Sequence, residues 1–344
     1  MNKEVIEATI KTIKDNASGR FTGFVIGNTS DKFINRKFYE TPVRESSELI
    51  YGGVVVRDVA TAKKIAMLVD GKVDYIFVDD EKKIRDIYYG PNDIGNIGQE
   101  VRSLIKKSTL LTYKGNDIAV DAIDGLIGNN KFDVGGCRIA VIGMGNLGSK
   151  IALRLVERGA YVYAYRRNHK KLLSIVNGIN NIKSEHTKAR AYIVKSIEKA
   201  CSGVDIIIGA SNEKSIITEK HLINLKNSVM LIDAGKGCFA DEVVNDIGLT
   251  LYRLDVTIMQ KYHFSALVSL CKSHSRKLGR KYVSGLGVTL VSLGLAARRG
   301  EFIVDNIESP KTIIGLSAGK GVLRKSTPTL QKRLKDLKTN LNIN

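Results

Sequence analysis

Tryptophan is absent from the 344 residues, proline occurs only 4 times, and cysteine only 4 times. The cysteines, Cys137, Cys201, Cys238 and Cys271, stand far apart with no C-x-x-C pair, and the 5 histidines do not cluster at ligand spacing. A disulfide framework and a zinc site are therefore not expected, no metal is assigned, and a reducing compartment is. No apolar run is long enough to span a bilayer. The opening stretch MNKEVIEATIKTIKDNASGR is polar and amphipathic, without the apolar region of a signal peptide, so a cytoplasmic protein with no membrane partner is expected.

Acidic residues are scarce, 35 against 54 basic, for a net charge of +19. A concentrated basic surface would point to nucleic acid. Here the Lys and Arg are scattered through every segment, and the richest run, LRKSTPTLQKRLKDLK, predicts a basic terminal helix. Dispersed charge favours a small anionic ligand over nucleic acid. With 43% hydrophobic residues and this length, the chain has material for about two domains, each with its own core.

Apolar runs alternate with helical patterns, the signature of a parallel-sheet α/β architecture. In the first part the pattern predicts strands at 21–27, 53–57, 75–79 and 109–113 and helices at 60–69, 96–107 and 116–127. After the turn-rich GNNKFDVGG it restarts with strands at 137–142, 161–165, 205–209, 229–233 and 250–254, and an apolar, Ala-rich helix is expected at 287–299. The expected organisation is α/β throughout. Residues 1–128 are read as a first α/β domain, 129–284 as a second with a doubly wound parallel sheet, and 285–344 as a helical segment returning to the first domain.

The chemistry-bearing motif is Gly143-Met144-Gly145-Asn146-Leu147-Gly148, which follows the strand CRIAVI and opens a helix with Leu147, Ile151 and Leu155 at i, i+4, i+8. Gly143 permits the tight turn, Gly145 lets a diphosphate approach the backbone, and Gly148 lets helix and strand pack closely. The helix end adds unpaired N–H groups and a positive dipole, so the motif reads as a dinucleotide site, against a merely structural glycine turn. The next strand, AYVYAY, ends in Arg166-Arg167-Asn168 with Lys170 and Lys171 behind, where an NAD site usually has a carboxylate. Guanidinium groups suit a 2′-phosphate, so NADP is the expected cofactor, against an ordinary solvated basic turn. Ala210 and Ser211 end one later strand; Asp233 and Gly235 end the next. These small residues leave room beside the nicotinamide, with Lys236 either pointing into the cleft or outward.

Several segments resemble known dehydrogenases. VDIIIGASNEKSIITEKHLINLKNSVMLIDAGKG is similar to the folate enzymes' A-D-I-hydrophobic strand leading to V-I-D-V-G-I, and SGLGVTL to their G-G-V-G-P-M-T helix start. AYRRNHKKL resembles the N-R-T-x-x-K segment of shikimate dehydrogenases, with Arg167 on its Arg and Lys171 on its Lys. About residues 132–299 thus resemble the two-domain Rossmann dehydrogenases that include the methylenetetrahydrofolate dehydrogenase/cyclohydrolases, shikimate dehydrogenases and glutamyl-tRNA reductases. In the first domain, SDKFINRK laid with a small gap on the folate family's S-x-x-Y-V-x-x-K puts Lys37 on its catalytic lysine and Phe33 on its tyrosine. GVVVR laid on G-I-L-V-Q puts Arg57 in place of its glutamine.

The resemblance implies a substrate-binding domain over 1–128 and a Rossmann domain over 129–284. It implies an NADP(H)-dependent oxidoreductase, nearest to methylenetetrahydrofolate dehydrogenase, acting on a small polar, anionic metabolite held between the domains of a homodimer. A keto, imine or amino-acid-type reductase like shikimate dehydrogenase is the alternative, and a dinucleotide-binding regulatory protein without chemistry is another. Lys37, its pKa lowered by burial, is the expected proton-handling group, against a solvent-facing lysine. Asp255 and Arg57 follow strand ends, where ligands of open α/β sheets gather. Asn116, opening a helix, is a further substrate candidate or a cap.

Overall fold

The computed structural model describes residues 3–29, 38–81, 84–85, 94–130, 133–223, 225, 228–235, 237–246, 248, 250–274 and 278–343. Contacts divide it into two compact units, Met1–Ser265 and Ala266–Asn344. No helix among the described residues is long and apolar enough to cross a membrane.

The first unit opens with α1 (Lys3–Asp15), whose Ile6, Thr9, Ile10 and Ile13 fall on one buried stripe. There follow β1 (Phe21–Asn28), β2 (Phe38–Glu45), β3 (Leu49–Val56), α2 (Val59–Val69), β4 (Tyr75–Asp79), the short pair β5 (Ile84–Arg85) and β6 (Ile94–Gly95), α3 (Ile97–Arg102) and β7 (Thr109–Tyr113). The five long strands form a sheet in the order β2-β3-β1-β4-β7, parallel except for β2. One face carries Phe24, Ile26, Val54, Ile76 and Val78 against α1, α2 and α3. The other carries an aromatic layer, Tyr51, Phe77 and Tyr113, centred on Phe264, with ring centroids 5.1, 4.3 and 5.0 Å away. Gly23 makes this layer possible, because a Cβ there would lie 2.8 Å from the Phe77 ring.

The helix expected at 96–107 ends at Arg102. Asp70 explains the stop: its carboxylate accepts the backbone N–H groups of Lys106, Lys107 and Ser108 at 2.9–3.0 Å, drawing them away from helical carbonyls. Burial alone would raise the Asp70 pKa, but these donors together hold it below the ordinary carboxylate value.

The second sheet of this unit is introduced by α4 (Gly115–Asn130) and runs through β8 (Arg138–Ile142), α5 (Asn146–Glu157), β9 (Tyr161–Tyr165), α6 (His169–Ile182), β10 (Ala191–Ile193), α7 (Ile197–Cys201), β11 (Ile206–Gly209), β12 (Met230–Asp233), α8 (Asp241–Val244) and β13 (Leu251–Arg253). Its order is β10-β9-β8-β11-β12-β13, all parallel, the doubly wound Rossmann arrangement. Helix α4 belongs to this sheet's core: Val120, Ile123 and Ile127 pack with Ile139, Val141, Ile151 and Leu155. Along the α4–α5 seam Asp117 meets Lys150 (2.5 Å), Asp121 meets Arg154 (2.5 Å) and Asp124 meets Arg158. The Rossmann core therefore takes in a helix that the sequence reading had assigned to the preceding domain. Next comes α9 (Thr257–His274), whose Gln260 and Ser265 side chains bond Arg44 and Ser46 of the first sheet's β2 edge.

Ala266–Asn344 is where the structure departs most from expectation. After the end of α9 it forms β14 (Arg280–Val283), β15 (Val288–Ser292), β16 (Phe302–Val304), β17 (Ile313–Gly319), β18 (Val322–Leu323) and α10 (Pro328–Asn340). The strands lie in order in one mixed sheet over a core of Leu290, Phe302, Val304, Leu316 and Leu337. The apolar helix expected at 287–299 is instead β15 and a turn, so the predominantly helical character assigned to 285–344 is corrected to a sheet with one helix. Gly287 (φ +62°) and Gly294 (φ +104°) bracket the strand in conformations that no helix interior adopts. Between them Val288 and Val291 are β-branched; Val288 pairs with β14, and Val291 pairs with both β14 and β16. The Ala-rich remainder is held as a turn by buried Glu301, which accepts the Arg298 N–H and the Arg280 guanidinium. The basic terminal helix starts at Pro328, capped by Thr327, because Val322 and Leu323 are drawn into the sheet.

Candidate functional site

The glycine loop between β8 and α5 has the geometry its spacing predicts. Gly143 sits at φ +107°, and a Cβ on it would lie 2.6 Å from the Ser211 nitrogen, so the loop after β11 meets it backbone to backbone. A Cβ on Gly148 would lie 2.1 Å from the Gly143 carbonyl oxygen, which shows how tightly helix and strand close. Gly145 differs: its Cβ would meet no atom within 4 Å, and as the N-cap of α5 it offers no side-chain cap. The helix end therefore presents uncapped N–H groups beside open space, an anion cradle that a side chain would fill. Met144 and Leu147 turn into the core while Asn146 stays exposed.

Arg166 and Arg167 at the end of β9 part company. Arg166, half-buried, donates to the Met144 carbonyl and braces the glycine loop. Arg167 projects outward and pairs with Glu213 at 2.8 Å. Lys171 is exposed, and its backbone N–H donates to the Asn168 side chain that caps α6. The sequence around β9 has no carboxylate at this position; the fold supplies one from 46 residues away, on the loop that follows β11.

The ends of β11 and β12 are knitted together. The Cys238 thiol, fully buried, donates to the Ser211 carbonyl (3.2 Å) and accepts the Ser211 N–H (3.3 Å). A Cβ on Gly235 would lie 2.4 Å from the same carbonyl. Ala210 is half-buried, and its N–H donates to Ile142 at 2.7 Å. Asp233 is 9% exposed and accepts the N–H groups of Gly235, Gly237 and Cys238, so its carboxylate shapes the turn beside the site. Sequence reasoning missed Glu213 and Cys238; the first is tied to the site only by tertiary contact, the second by burial.

Among the catalytic and substrate candidates, Lys37 and Lys236 lie outside the described residues, as does Phe33. Asp255 caps α9: its carboxylate accepts the Thr257 N–H at 2.8 Å, and the Thr257 hydroxyl and backbone bonds, with Arg44 nearby, hold its pKa below the ordinary value. An ionised, capping carboxylate is poorly suited to delivering protons near neutrality. Arg57 is half-buried at the carboxyl end of β3, next to Asp58, which caps α2. Asn116 is gripped by Glu81, which accepts both its side-chain amide (2.8 Å) and its backbone N–H (3.2 Å).

Glu81 also lies 4.0 Å from Lys150 of α5. The carboxyl edge of the first sheet thus borders the helix that rises from the glycine loop. Buried at that edge are Asn28, whose amide donates to the Asp79 and Glu81 carbonyls, and Asp79, which accepts the Gly115 and Glu81 N–H groups. Tyr113 is beside them, its pKa pushed well up by burial and then by Asp79, so its hydroxyl stays protonated.

Comparison with known proteins agrees with this geometry over the second sheet. Residues 138–241 match the NAD binding domain of 6-phosphogluconate dehydrogenase. Glutamyl-tRNA reductase of Thermosipho melanesiensis is 27% identical over 145 residues, covering 41% of this chain and 35% of that protein. S-inosyl-L-homocysteine hydrolase of Methanocaldococcus jannaschii is 26% identical over 114 residues, covering 33% of this chain and 25% of that one. The alignments thus span about a third or less of these relatives' length. Among solved structures, ornithine carbamoyltransferase from Pyrococcus furiosus aligns over 78% of this chain and 92% of its own, at 11% identity and a TM-score of 0.43. The second sheet thus has the Rossmann topology and matches a dinucleotide-binding domain of the dehydrogenase type.

Proposed function

We propose that the protein is an NADP(H)-dependent oxidoreductase acting on a small polar, anionic metabolite, nearest in type to methylenetetrahydrofolate dehydrogenase. The observation that carries this reading is that the helix rising from the open glycine cradle borders the carboxyl edge of a second sheet, through Glu81, Asn116, Asp117 and Lys150. Ligands of open α/β sheets collect at such edges, and two edges sharing one border hold a dinucleotide and a second molecule side by side.

In this reading the N–H groups at the start of α5 bind the diphosphate, Arg166 keeps the loop in shape, and Arg167 takes the 2′-phosphate. Ser211 and Gly235 line the nicotinamide end with backbone, and the Cys238 thiol and the Asp233 carboxylate keep those two loops in register. When bound, the nicotinamide supplies the hydride acceptor or donor. In the same proposal Arg57 and Asn116 orient an anionic or amide-bearing substrate, and Lys37 is the proton carrier. Soluble protein in a cytoplasmic, homodimeric form is part of the same proposal.

The test is NADPH formation with methylenetetrahydrofolate, alongside calorimetric titration of NADP. Turnover supports the full reading. Binding without turnover removes the folate assignment, and absence of binding removes the oxidoreductase.

A regulatory, non-catalytic reading draws on a different observation. Both described carboxylates nominated at strand ends, Asp233 and Asp255, are occupied by backbone N–H groups. It predicts dinucleotide binding with no turnover of any two-electron substrate.

A further inference from the structure

The Arg167–Glu213 pair spans the space between the end of β9 and the loop after β11. Both β9 and β11 border the central strand β8, so these two ends flank the glycine loop. Both side chains face water, 78% and 57% exposed, so the bond between them is weak and exchangeable. Glu213 is nevertheless placed with some care: its N–H donates to the Ser211 hydroxyl at 3.1 Å, in a loop that the Cys238 thiol pins from beneath.

We infer that Glu213 is a specificity residue that works against the 2′-phosphate and in favour of a free ribose hydroxyl. This rests on the dinucleotide reading of the glycine loop. Two effects act in the same direction. Glu213 occupies the guanidinium that a 2′-phosphate needs, and its own charge repels a group carrying about −1.5 to −2 at neutral pH. A free ribose hydroxyl, by contrast, donates to a carboxylate, the contact that NAD sites generally make with an acidic residue at the end of the strand equivalent to β9; here Glu213 brings a carboxylate to that end from the loop after β11. Arg167 and Glu213 therefore pull the coenzyme choice in opposite directions, which leaves the proposed preference for NADP a modest one. Repulsion between such charges at a few ångströms in water is worth about fivefold in affinity.

The experiment is calorimetric titration of the full-length protein with NADP and with NAD, at low and at physiological salt, for the native chain, Glu213→Gln and Arg167→Gln. Circular dichroism checks that the exposed substitutions leave the fold intact. Glu213→Gln is expected to raise the ratio of the NAD to the NADP dissociation constant about fivefold, chiefly by tightening NADP, with a smaller gain at the higher salt. Arg167→Gln is expected to lower that ratio. A ratio unchanged within twofold in Glu213→Gln, with both coenzymes still binding, overturns this inference and leaves the dinucleotide site standing. If the native chain binds neither coenzyme, both readings fall together.

Discussion

Replacing Gly145 by alanine distinguishes a glycine that a ligand requires from one that the fold requires. The added methyl meets no atom within 4 Å, and φ at this residue is −91°, which alanine adopts without strain. The unliganded protein therefore loses only the advantage of glycine over alanine at an N-cap, about 1 kcal/mol, or about 2–4 °C in melting temperature for a unit of this size. A phosphate resting on the α5 N–H groups would meet that methyl directly. Losing one hydrogen bond to a charged group costs about 1.5–3 kcal/mol, roughly a ten- to hundredfold rise in the dissociation constant of NADP. Gly148→Ala is the control: its methyl would sit 2.1 Å from a backbone oxygen that cannot rotate away, so about 1–3 kcal/mol of stability should go with the binding. Calorimetry and thermal melts on the two variants separate the cases. Should Gly145→Ala bind NADP as tightly as the native chain, the diphosphate does not lie on this loop and the reasoning from the cradle fails.

Further outcomes follow from the same structure. Asp255→Asn should keep the cap on α9, since asparagine caps as well as aspartate, and leave kcat within about twofold, while Asp255→Ala loses about 1 kcal/mol in urea melts; a collapse of kcat in the asparagine variant would return Asp255 to the chemistry. The Asp70 carboxylate has a lowered folded-state pKa, so its contribution is full above the ordinary carboxylate pKa and disappears as pH falls through the depressed value. Urea midpoints measured from pH 7 down to about pH 3 should thus fall more steeply for the native chain than for Asp70→Asn; parallel slopes would show that the three N–H contacts carry no such linkage. The Tyr51 hydroxyl is buried with no hydrogen-bond partner among the described residues, and burial pushes its pKa up to about 12. Tyr51→Phe should leave stability unchanged or raise it by up to about 1 kcal/mol, and a clear loss in the urea midpoint would mean that the hydroxyl is satisfied in solution.

The α/β class, the second sheet's strands at 138–142, 161–165 and 206–209, and the glycine loop were legible because each depends on near neighbours in the chain. Residues 139–142 and 206–209, buried on both faces, are unbroken apolar runs, 161–165 alternates in burial, and G-x-G-x-x-G needs only its own spacing to bend, open and close up on the next helix. Asp255 shows the limit of such reading. Its place after a strand was right, but the same local position also makes it the cap of the next helix, and composition does not say which role prevails.

What the chain alone determined, then, is the set of features whose energetics close within a few residues: helix stripes, buried parallel strands, caps and the phosphate-cradling turn. Tertiary structure decided the rest. VTLVSLGLAARRG has the apolar, Ala-rich composition of a helix, yet becomes a strand and a turn because partners on both sides, β14 and β16, satisfy its backbone and Glu301 holds its end. Arg167 had no acidic neighbour in sequence, yet finds Glu213 because β9 and β11 flank the same central strand, β8, and bring distant loops to one edge. Pairing across a sheet depends on strand order rather than separation along the chain, and strand order is settled only when the whole core is buried together.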